Sequence, residues 1–428
     1  MMFPSDLLAG KKVLLGITGS ISAYKSIELI RHLTKAGATV RVILTQSGAR
    51  FVTPLTLEAL TGNAVIDEKS ENWYSDANHI ALAKWADAFI IAPCTANTLN
   101  KLANGIADNL LTQTSLAYSR IKIIAPSANT AMLANPITQA SMKLLKLANY
   151  TLVDTQTKEL ACKTTGDGAL ADPMELFYVV ARELLRQTFW EHRRVLVTGG
   201  GTIEKIDEVR YLSNFSSGKM ASSLAIALYL RGAHVCFVST QFPTTLPQDM
   251  CSQKVQSAQS MQEALTSKLA TIHAPLAKAP SLVHHDHEHT HAPKTPYLFM
   301  AAAVSDFRVA HPSAGKTKKS TLGSTWELSL VENADIIASI DKKNLRTIAF
   351  KAEMDATNAH ANAQKARIDK GVDAVCLNLL ADSQSFGTDT HTLTYIDAHQ
   401  EIALGMHDKL TLALALLDKA QALEDYTA

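Results

Sequence analysis

Two clusters of residues in this 428-residue chain have types and spacing suited to chemistry. In the first half, Gly19-Ser20-Ile21-Ser22 stands between an apolar run, Lys11 to Thr18, and a segment of helical periodicity. Backbone N–H groups and hydroxyls then meet at the start of a helix, a place that favours phosphate. Such a turn equally serves a structural purpose, since small residues permit tight turns. The stretches Pro93 to Asn97 (PCTAN) and Lys101 to Leu110 (KLANGIADNL) add Thr, Asn and Gly at another strand end, and His79 lies just upstream. An imidazole titrates near neutrality and can take or give a proton. In the second half, Val197 to Ala225 combines a glycine-rich turn with a second turn, Ser216-Ser217-Gly218-Lys219, that opens a helix. Its spacing is not GxGxxG and no acidic residue closes a second strand, which speaks against an NAD site.

The elements that must position these residues read as repeated β-α-β units. Strands are expected at Lys11 to Thr18, Thr39 to Leu44, Ala88 to Ala92 (ending at Pro93) and Lys122 to Ala125 (ending at Pro126), with a helix from Met174 to Leu185. A second series follows: Arg194 onward, Val235 to Ser239, Tyr297 to Ala303, Thr347 to Phe350 and Ala374 to Leu377. Alternation of strand and helix predicts parallel sheets, whose ligands lie beyond the carboxyl ends of the strands. The length exceeds what a single core fills, so two domains are expected, residues 1–189 and 190–428.

The charge balance, 41 Lys plus Arg against 40 Asp plus Glu, gives no general reason to bind nucleic acid or an anionic membrane. The start lacks a signal-peptide pattern, and no run of about 18 apolar residues predicts a membrane span. A cytoplasmic enzyme of small molecules is the expectation. The five cysteines, Cys94, Cys162, Cys236, Cys251 and Cys376, are far apart in sequence and form no CxxC pair, which argues against a disulfide framework or a zinc site. A His-rich tract, His284 to His291, sits within an insertion at about 272–295 and reads as a solvated loop, with no metal site assigned to it.

Taken together, GSISAYK (Gly19 to Lys25), NHIALAKWAD (Asn78 to Asp87), APCTANTLNKLANGIADNLL and PSANTAM (Pro126 to Met132) resemble the homo-oligomeric flavin-containing cysteine decarboxylases, nearest to those acting on phosphopantothenoylcysteine. The resemblance implies a flavodoxin-like, Rossmann-like N-terminal flavoprotein domain. It implies FMN held by Gly19, Ser20, Ser22, Thr45, Thr95 and Asn97, His79 as the catalytic histidine, Asn129 as the carboxylate-binding amide and Cys162 as a proton donor on a substrate-covering flap. Flavin oxidation of the cysteinyl thiol supplies the electron sink that lets carbon dioxide leave. The flap departs from the family pattern: Lys163 follows the cysteine where the family has glycine, and Ala169 occupies an arginine position.

In the second half, the stretch Val197 to Ala225, AAAVSDFRV (Ala301 to Val309), GKTKK (Gly315 to Lys319), LVENADIIA (Leu330 to Ala338), FKAEM (Phe350 to Met354), KGVDAVCLN (Lys370 to Asn378) and FGTD (Phe386 to Asp389) resemble the phosphopantothenate–cysteine ligases, often fused behind such a decarboxylase in coenzyme A biosynthesis. That implies a second Rossmann-like α/β ligase domain that activates the 4'-phosphopantothenate carboxylate with CTP and magnesium, after which the cysteine amine attacks. Ala301, Ala302, Asp306, Lys316, Asn333, Asp335, Ile336, Phe350, Lys365 and Lys370 are then the CTP-binding candidates. Arg210 and Asn214 engage the acyl intermediate. The resemblance also implies a homo-oligomer built of decarboxylase trimers and ligase dimers, compatible with a dodecamer. The altered flap keeps open an active ligase with an altered or inactive decarboxylase half, and the resemblance, which extends to regulatory relatives of the flavoprotein half, keeps open a flavoprotein-type regulatory binding protein.

Overall fold

The computed structural model describes residues 3–159, 165–274, 294–318, 324–380, 382 and 387–426. These fall into two compact units, residues 3–185 and residues 186–426.

The first unit runs β1 (Lys12–Ile17), α1 (Ala23–Lys35), β2 (Thr39–Leu44), α2 (Pro54–Thr61), α3 (His79–Trp85), β3 (Ala88–Cys94), α4 (Ala96–Ala103), α5 (Leu110–Ala117), β4 (Lys122–Pro126), α6 (Thr130–Ala134), α7 (Pro136–Leu147), β5 (Tyr150–Leu152), β6 (Gln156–Glu159), β7 (Thr165–Ala169) and α8 (Pro173–Leu185). The first five strands form a parallel sheet in the order β2-β1-β3-β4-β5. Chain direction across the sheet reverses between β1 and β3, so a crevice opens where those two strands end. The expected strands are all present. The third runs on through a cis Ala92–Pro93 bond to Cys94 rather than stopping before the proline. Strands buried on both faces read as continuous apolar runs. β3 is buried at all of its positions, and Leu14, Phe89, Ile91 and Ile124 pack with Leu82, Leu99 and Leu111 from the helices.

The second unit runs β8 (Arg194–Gly199), β9 (Ile203–Lys205), β10 (Tyr211–Ser213), α9 (Lys219–Leu230), β11 (His234–Ser239), β12 (Cys251–Lys254), α10 (Ala258–Leu269), β13 (Tyr297–Met300), β14 (Phe307–Val309), β15 (Leu330–Glu332), α11 (Ile336–Ser339), β16 (Arg346–Glu353), α12 (Ala359–Asp369), β17 (Ala374–Leu379), β18 (Thr390–Ile396), β19 (Glu401–Asp408) and α13 (Lys409–Ala420). Its main sheet has the order β12-β11-β8-β13-β16-β17-β18-β19. From β12 to β17 the neighbours are parallel, and β18 and β19 extend the edge as antiparallel strands. The reversal point lies between β8 and β13, where the turn after β8 and the segment after β13 are joined by a bridge between Gly201 and Ala303.

The cysteines give a correction. Cys94 and Cys376 are buried thiols whose ionisation burial pushes up. Cys236 and Cys251 are joined by a disulfide, with Cα atoms 4.5 Å apart. They are fifteen positions apart in sequence, but parallel pairing of β11 with β12 sets them directly opposite. Cys162, Lys163, Lys319, Phe386 and the His-rich tract lie outside the described residues.

Candidate active sites

At the end of β1, Gly19 turns the chain against Ser47, whose Cβ lies 2.5 Å from where a Cβ on Gly19 would stand. No side chain fits there. Beyond it the hydroxyls of Ser20 and Ser22 both meet Ser127, at 3.2 and 2.9 Å, and the Ser22 amide donates to Ser20 Oγ at 3.2 Å. Ser127 is buried and comes from the end of β4, so the three hydroxyls form one cluster at the reversal point. Motif reading missed Ser127 as a member of this cluster. Thr18 Oγ1 donates to the Pro93 carbonyl at 2.7 Å and accepts from the Thr95 amide at 3.0 Å, which ties the ends of β1 and β3 together. Thr95 caps α4 and leaves Asn97 exposed on its first turn. Thr45 sits at the end of β2, donating to the Ile17 carbonyl and accepting from the Gly48 amide, both at 3.1 Å. The strand ends thus gather Gly19, Ser20, Ser22, Thr45 and Thr95 around neutral donors, a set suited to an anion with sugar-like hydroxyls.

Asn129 caps α6 by accepting from the Ala131 amide at 2.9 Å. β7 lies across this segment. A Cβ on Gly166 would come within 2.3 Å of Thr130 Oγ1, one on Gly168 within 2.2 Å of the Ala128 carbonyl, and the Ala128 amide donates to the Gly168 carbonyl at 3.2 Å. The hairpin is tethered at its base by Asp172, which accepts from Gln156 at 2.8 Å and pairs with Lys158 at 3.1 Å. Ala169, at the position where resemblance expects arginine, is on β7. His79 is the first residue of α3, behind the cap formed by Asn78, and its Nδ1 meets Glu71 Oε1 at 3.1 Å.

In the second unit the turn after β8 is built from backbone. Gly200 has φ of +76° and no room for a side chain: a Cβ would stand 2.1 Å from Thr240 Oγ1. One on Gly201 would stand 2.8 Å from the Asn214 carbonyl. Asn214 Nδ2 donates to the Val304 carbonyl at 3.0 Å, which fixes the amide beside the segment that follows β13. Ala301 and Ala302 begin that segment, the Ala302 amide donating to Thr198 Oγ1 at 3.2 Å. Asp207, fully buried, is the organiser that sequence reading missed. It accepts from the amides of Val209, Arg210 and Thr317 and pairs with the Arg210 guanidinium at 3.2 Å. Burial opposes its charge, but those hydrogen bonds and the arginine prevail and hold the carboxyl below its ordinary range. Arg210 also donates to the Thr317 carbonyl and lies 4.8 Å over the Trp326 ring. The loop carrying Lys316, which is exposed, is thereby fastened to the turn carrying Arg210.

Further along, the Asn333 amide donates to the Asp306 carbonyl at 2.8 Å and its Nδ2 to the Ser305 carbonyl at 2.8 Å. Asp335 caps α11, in front of buried Ile336, and pairs with Lys370 at 3.3 Å. Asp306, Asn333, Asp335, Ile336 and Lys370 are therefore linked through neighbouring contacts. Phe350 is on β16. Lys365 is exposed on α12, five residues and so about 140° of helix rotation from Lys370, and the two do not share a face. Among the described residues, no three His, Cys, Asp or Glu side chains gather to hold a metal ion, and no helix is long and apolar enough to cross a membrane.

The first unit, with its 2-1-3-4-5 sheet and hydroxyl-lined reversal point, has the architecture of a flavodoxin-like nucleotide-binding protein, and the second is a Rossmann-like domain of its own. Residues 3–185 match the flavoprotein family, and residues 190–280 with 281–423 match the DNA/pantothenate metabolism flavoprotein C-terminal domain. The coenzyme A biosynthesis bifunctional protein CoaBC of Haemophilus influenzae is 35% identical over 96% of this chain and 97% of its own length. That of Bacillus subtilis is 33% identical over 98% of this chain and 99% of its own. A solved structure of the FMN-dependent cysteine decarboxylase SpaF is 32% identical, covers 40% of this chain and 96% of its own, and has a TM-score of 0.37. The chain belongs to the family of coenzyme A biosynthesis bifunctional proteins.

Proposed function

We propose that the chain makes 4'-phosphopantetheine in two stages. Its second unit joins 4'-phosphopantothenate to cysteine at the expense of CTP, and its first unit decarboxylates the resulting 4'-phosphopantothenoylcysteine with FMN. The observation that carries this reading is that both units keep a reversal-point site in a chain aligned end to end with bifunctional relatives.

In the first unit, Ser20 and Ser22, oriented by Ser127, would bind the FMN phosphate, with Thr45, Thr95 and Asn97 completing the set. FMN bound there would supply a two-electron oxidation of the substrate thiol and, once carbon dioxide has left, would return the two electrons to the resulting enethiol. His79 takes the thiol proton. Asn129 holds the substrate carboxylate with a neutral donor, which orients it without the cationic stabilisation that would oppose its departure. Cys162 returns a proton to the product.

In the second unit, the phosphopantothenate carboxylate attacks the α-phosphorus of CTP, pyrophosphate leaves and an acyl-cytidylate forms. Lys316 and Lys318 offset triphosphate charge, and Lys370, with Asp306, Asn333 and Asp335, contacts the nucleotide. The phosphates themselves would supply most ligands for magnesium, as is usual for that ion. Cysteine's amine then attacks the acyl carbonyl, whose oxygen accepts from Asn214 Nδ2, and CMP leaves.

Incubating the purified protein with phosphopantothenate, cysteine, CTP and magnesium, followed by mass analysis, is expected to show phosphopantothenoylcysteine and then phosphopantetheine. In His79→Asn the sequence stops at the cysteine amide. Loss of both steps in a folded His79→Asn protein would contradict two separate sites.

A further inference from the structure

The decarboxylase histidine does not stand alone. His79 Nδ1 lies 3.1 Å from Glu71 Oε1, and both side chains are about three-quarters buried, at 22% and 24% exposure. The Trp73 ring meets the imidazole edge-on, with centroids 5.2 Å apart and planes at 89°. The loop that carries Glu71 and Trp73 is shaped locally: the Asn72 amide donates to the Ala77 carbonyl at 2.9 Å, and Asn72 Oδ1 accepts from the Tyr74 amide at 2.8 Å. Asn78 then closes the loop by capping α3 and donating to the Ser75 carbonyl at 3.0 Å. Eight residues of chain thus fold back to set a carboxylate against one particular ring nitrogen.

From this geometry we infer that Glu71 is the positioning residue of the decarboxylation step, fixing His79 as the Nδ1–H tautomer so that Nε2 presents its lone pair to the substrate thiol. This rests on the reading of His79 as the thiol base. A neutral imidazole carries one proton, and a carboxylate accepts only; with Glu71 at Nδ1 the proton resides there and Nε2 is the acceptor. When Nε2 takes the thiol proton, the cation that forms is already paired with an anion, and the thiolate is left to be oxidised. The bond broken is S–H and the bond formed is Nε2–H, with no change in oxidation state. Trp73 limits ring rotation, so the lone pair keeps its direction.

The electrostatics around the pair are sparse. Asp76 of the same loop is engaged with Arg41 at 2.8 Å, Lys84 lies five residues along α3, and α5, which packs against α3, carries no titratable side chain. Glu71 is therefore the charged group in direct contact with the His79 ring.

The test compares Glu71→Gln, Glu71→Asp and His79→Asn in the full-length FMN-loaded enzyme with phosphopantothenoylcysteine as substrate. Glu71→Gln is expected to keep the flavin spectrum and the ligase activity. Its decarboxylation kcat should fall about tenfold or more with KM little changed. Glu71→Asp, which keeps an acceptor-only carboxylate, should recover part of the rate. A fall in rate that Glu71→Asp does not relieve, a rise in KM in place of the fall in kcat, or loss of FMN or of folding in Glu71→Gln, makes Glu71 a structural residue and overturns the proposal. A His79→Asn enzyme that decarboxylates at the normal rate instead refutes the assignment of His79 on which it rests.

Discussion

At the end of β1 the surface offered to an anion is made of hydroxyls, and at the end of β8 it is made of backbone. Ser20, Ser22 and Ser127 hydrogen-bond to one another, so their polar atoms remain satisfied whether or not an anion is present. The turn after β8 relies on Gly199, Gly200 and Gly201, where added side chains would meet Ala221, Thr240 or the Asn214 carbonyl within 3 Å. Charge enters that site from outside, on the Lys316 loop fastened by Asp207. A hydroxyl site can be altered one residue at a time with graded effects. A backbone site tolerates change only in the side chains around it.

The largest expected effect tests one of those surrounding side chains. Asn214→Asp replaces a donor with an anion next to the carbonyl oxygen where negative charge develops, and removal of such a donor costs about a hundredfold or more in rate. Amide formation should slow by that order while acyl-cytidylate accumulates, as followed by rapid quench with labelled CTP. Amide formation at the ordinary rate would remove Asn214 from the mechanism.

Next comes the backbone itself. Gly200→Ala forces a side chain into a left-handed conformation, worth about 1–2 kcal/mol, and against Thr240 Oγ1. The melting temperature of the second unit should drop and ligation weaken, with the FMN spectrum unchanged. A neutral Gly200→Ala would erase the contrast between the two turns.

Ser127→Ala should act more gently. It removes one orienting hydroxyl, a change of about 0.5–1.5 kcal/mol, or roughly two- to tenfold in FMN affinity by fluorescence titration. Riboflavin, which lacks the phosphate, should bind Ser127→Ala and the parent alike. An equal loss for both ligands would move Ser127 away from the phosphate.

The smallest effect concerns Lys409, buried and donating to the Thr388 carbonyl at the start of α13. Burial, reinforced by Lys219, lowers its pKa from 10.5 to about 8. Between those values the unfolded chain holds a proton that the folded chain has released. Stability therefore gains a rising contribution from pH 8 to about 10.5, and charging Lys409 opposes folding below that window. Lys409→Met should flatten this part of the stability curve in denaturant titrations; an unchanged slope would show that Lys409 stays charged when folded.

The parallel core was legible because its strands are buried on both faces and read as unbroken apolar runs. Thr39–Leu44 and the start of β8 at Arg194 emerged from the sequence with the boundaries seen in the structure. The antiparallel edge strands β18 and β19 were not legible, since their exposed sides break any apolar run. In the sites, Ser127, Asp207 and Glu71 were not singled out as organisers. Each acts on a partner, and partnership is set by tertiary approach. Glu71 and His79 are eight residues apart in a loop without periodicity, and Ser127 reaches Ser20 across 107 residues. The disulfide was missed for the same reason: residues that look remote in sequence are opposed by strand register.

The seat of β7 on the Ala128–Thr130 segment makes freedom to vary unequal along that hairpin. Where the strand touches, a methyl group at position 166 or 168 would lift it from the very segment that aims Asn129. Position 169 has already exchanged the arginine expected there for alanine, and Lys163 has replaced a glycine. Change at position 169, which pairs with Gln156 at the base of the hairpin, therefore leaves that seat intact, while the two glycines keep the strand against the segment that carries Asn129. An engineer seeking to accept a different cysteinyl acid should randomise position 169 and leave Gly166 and Gly168 alone.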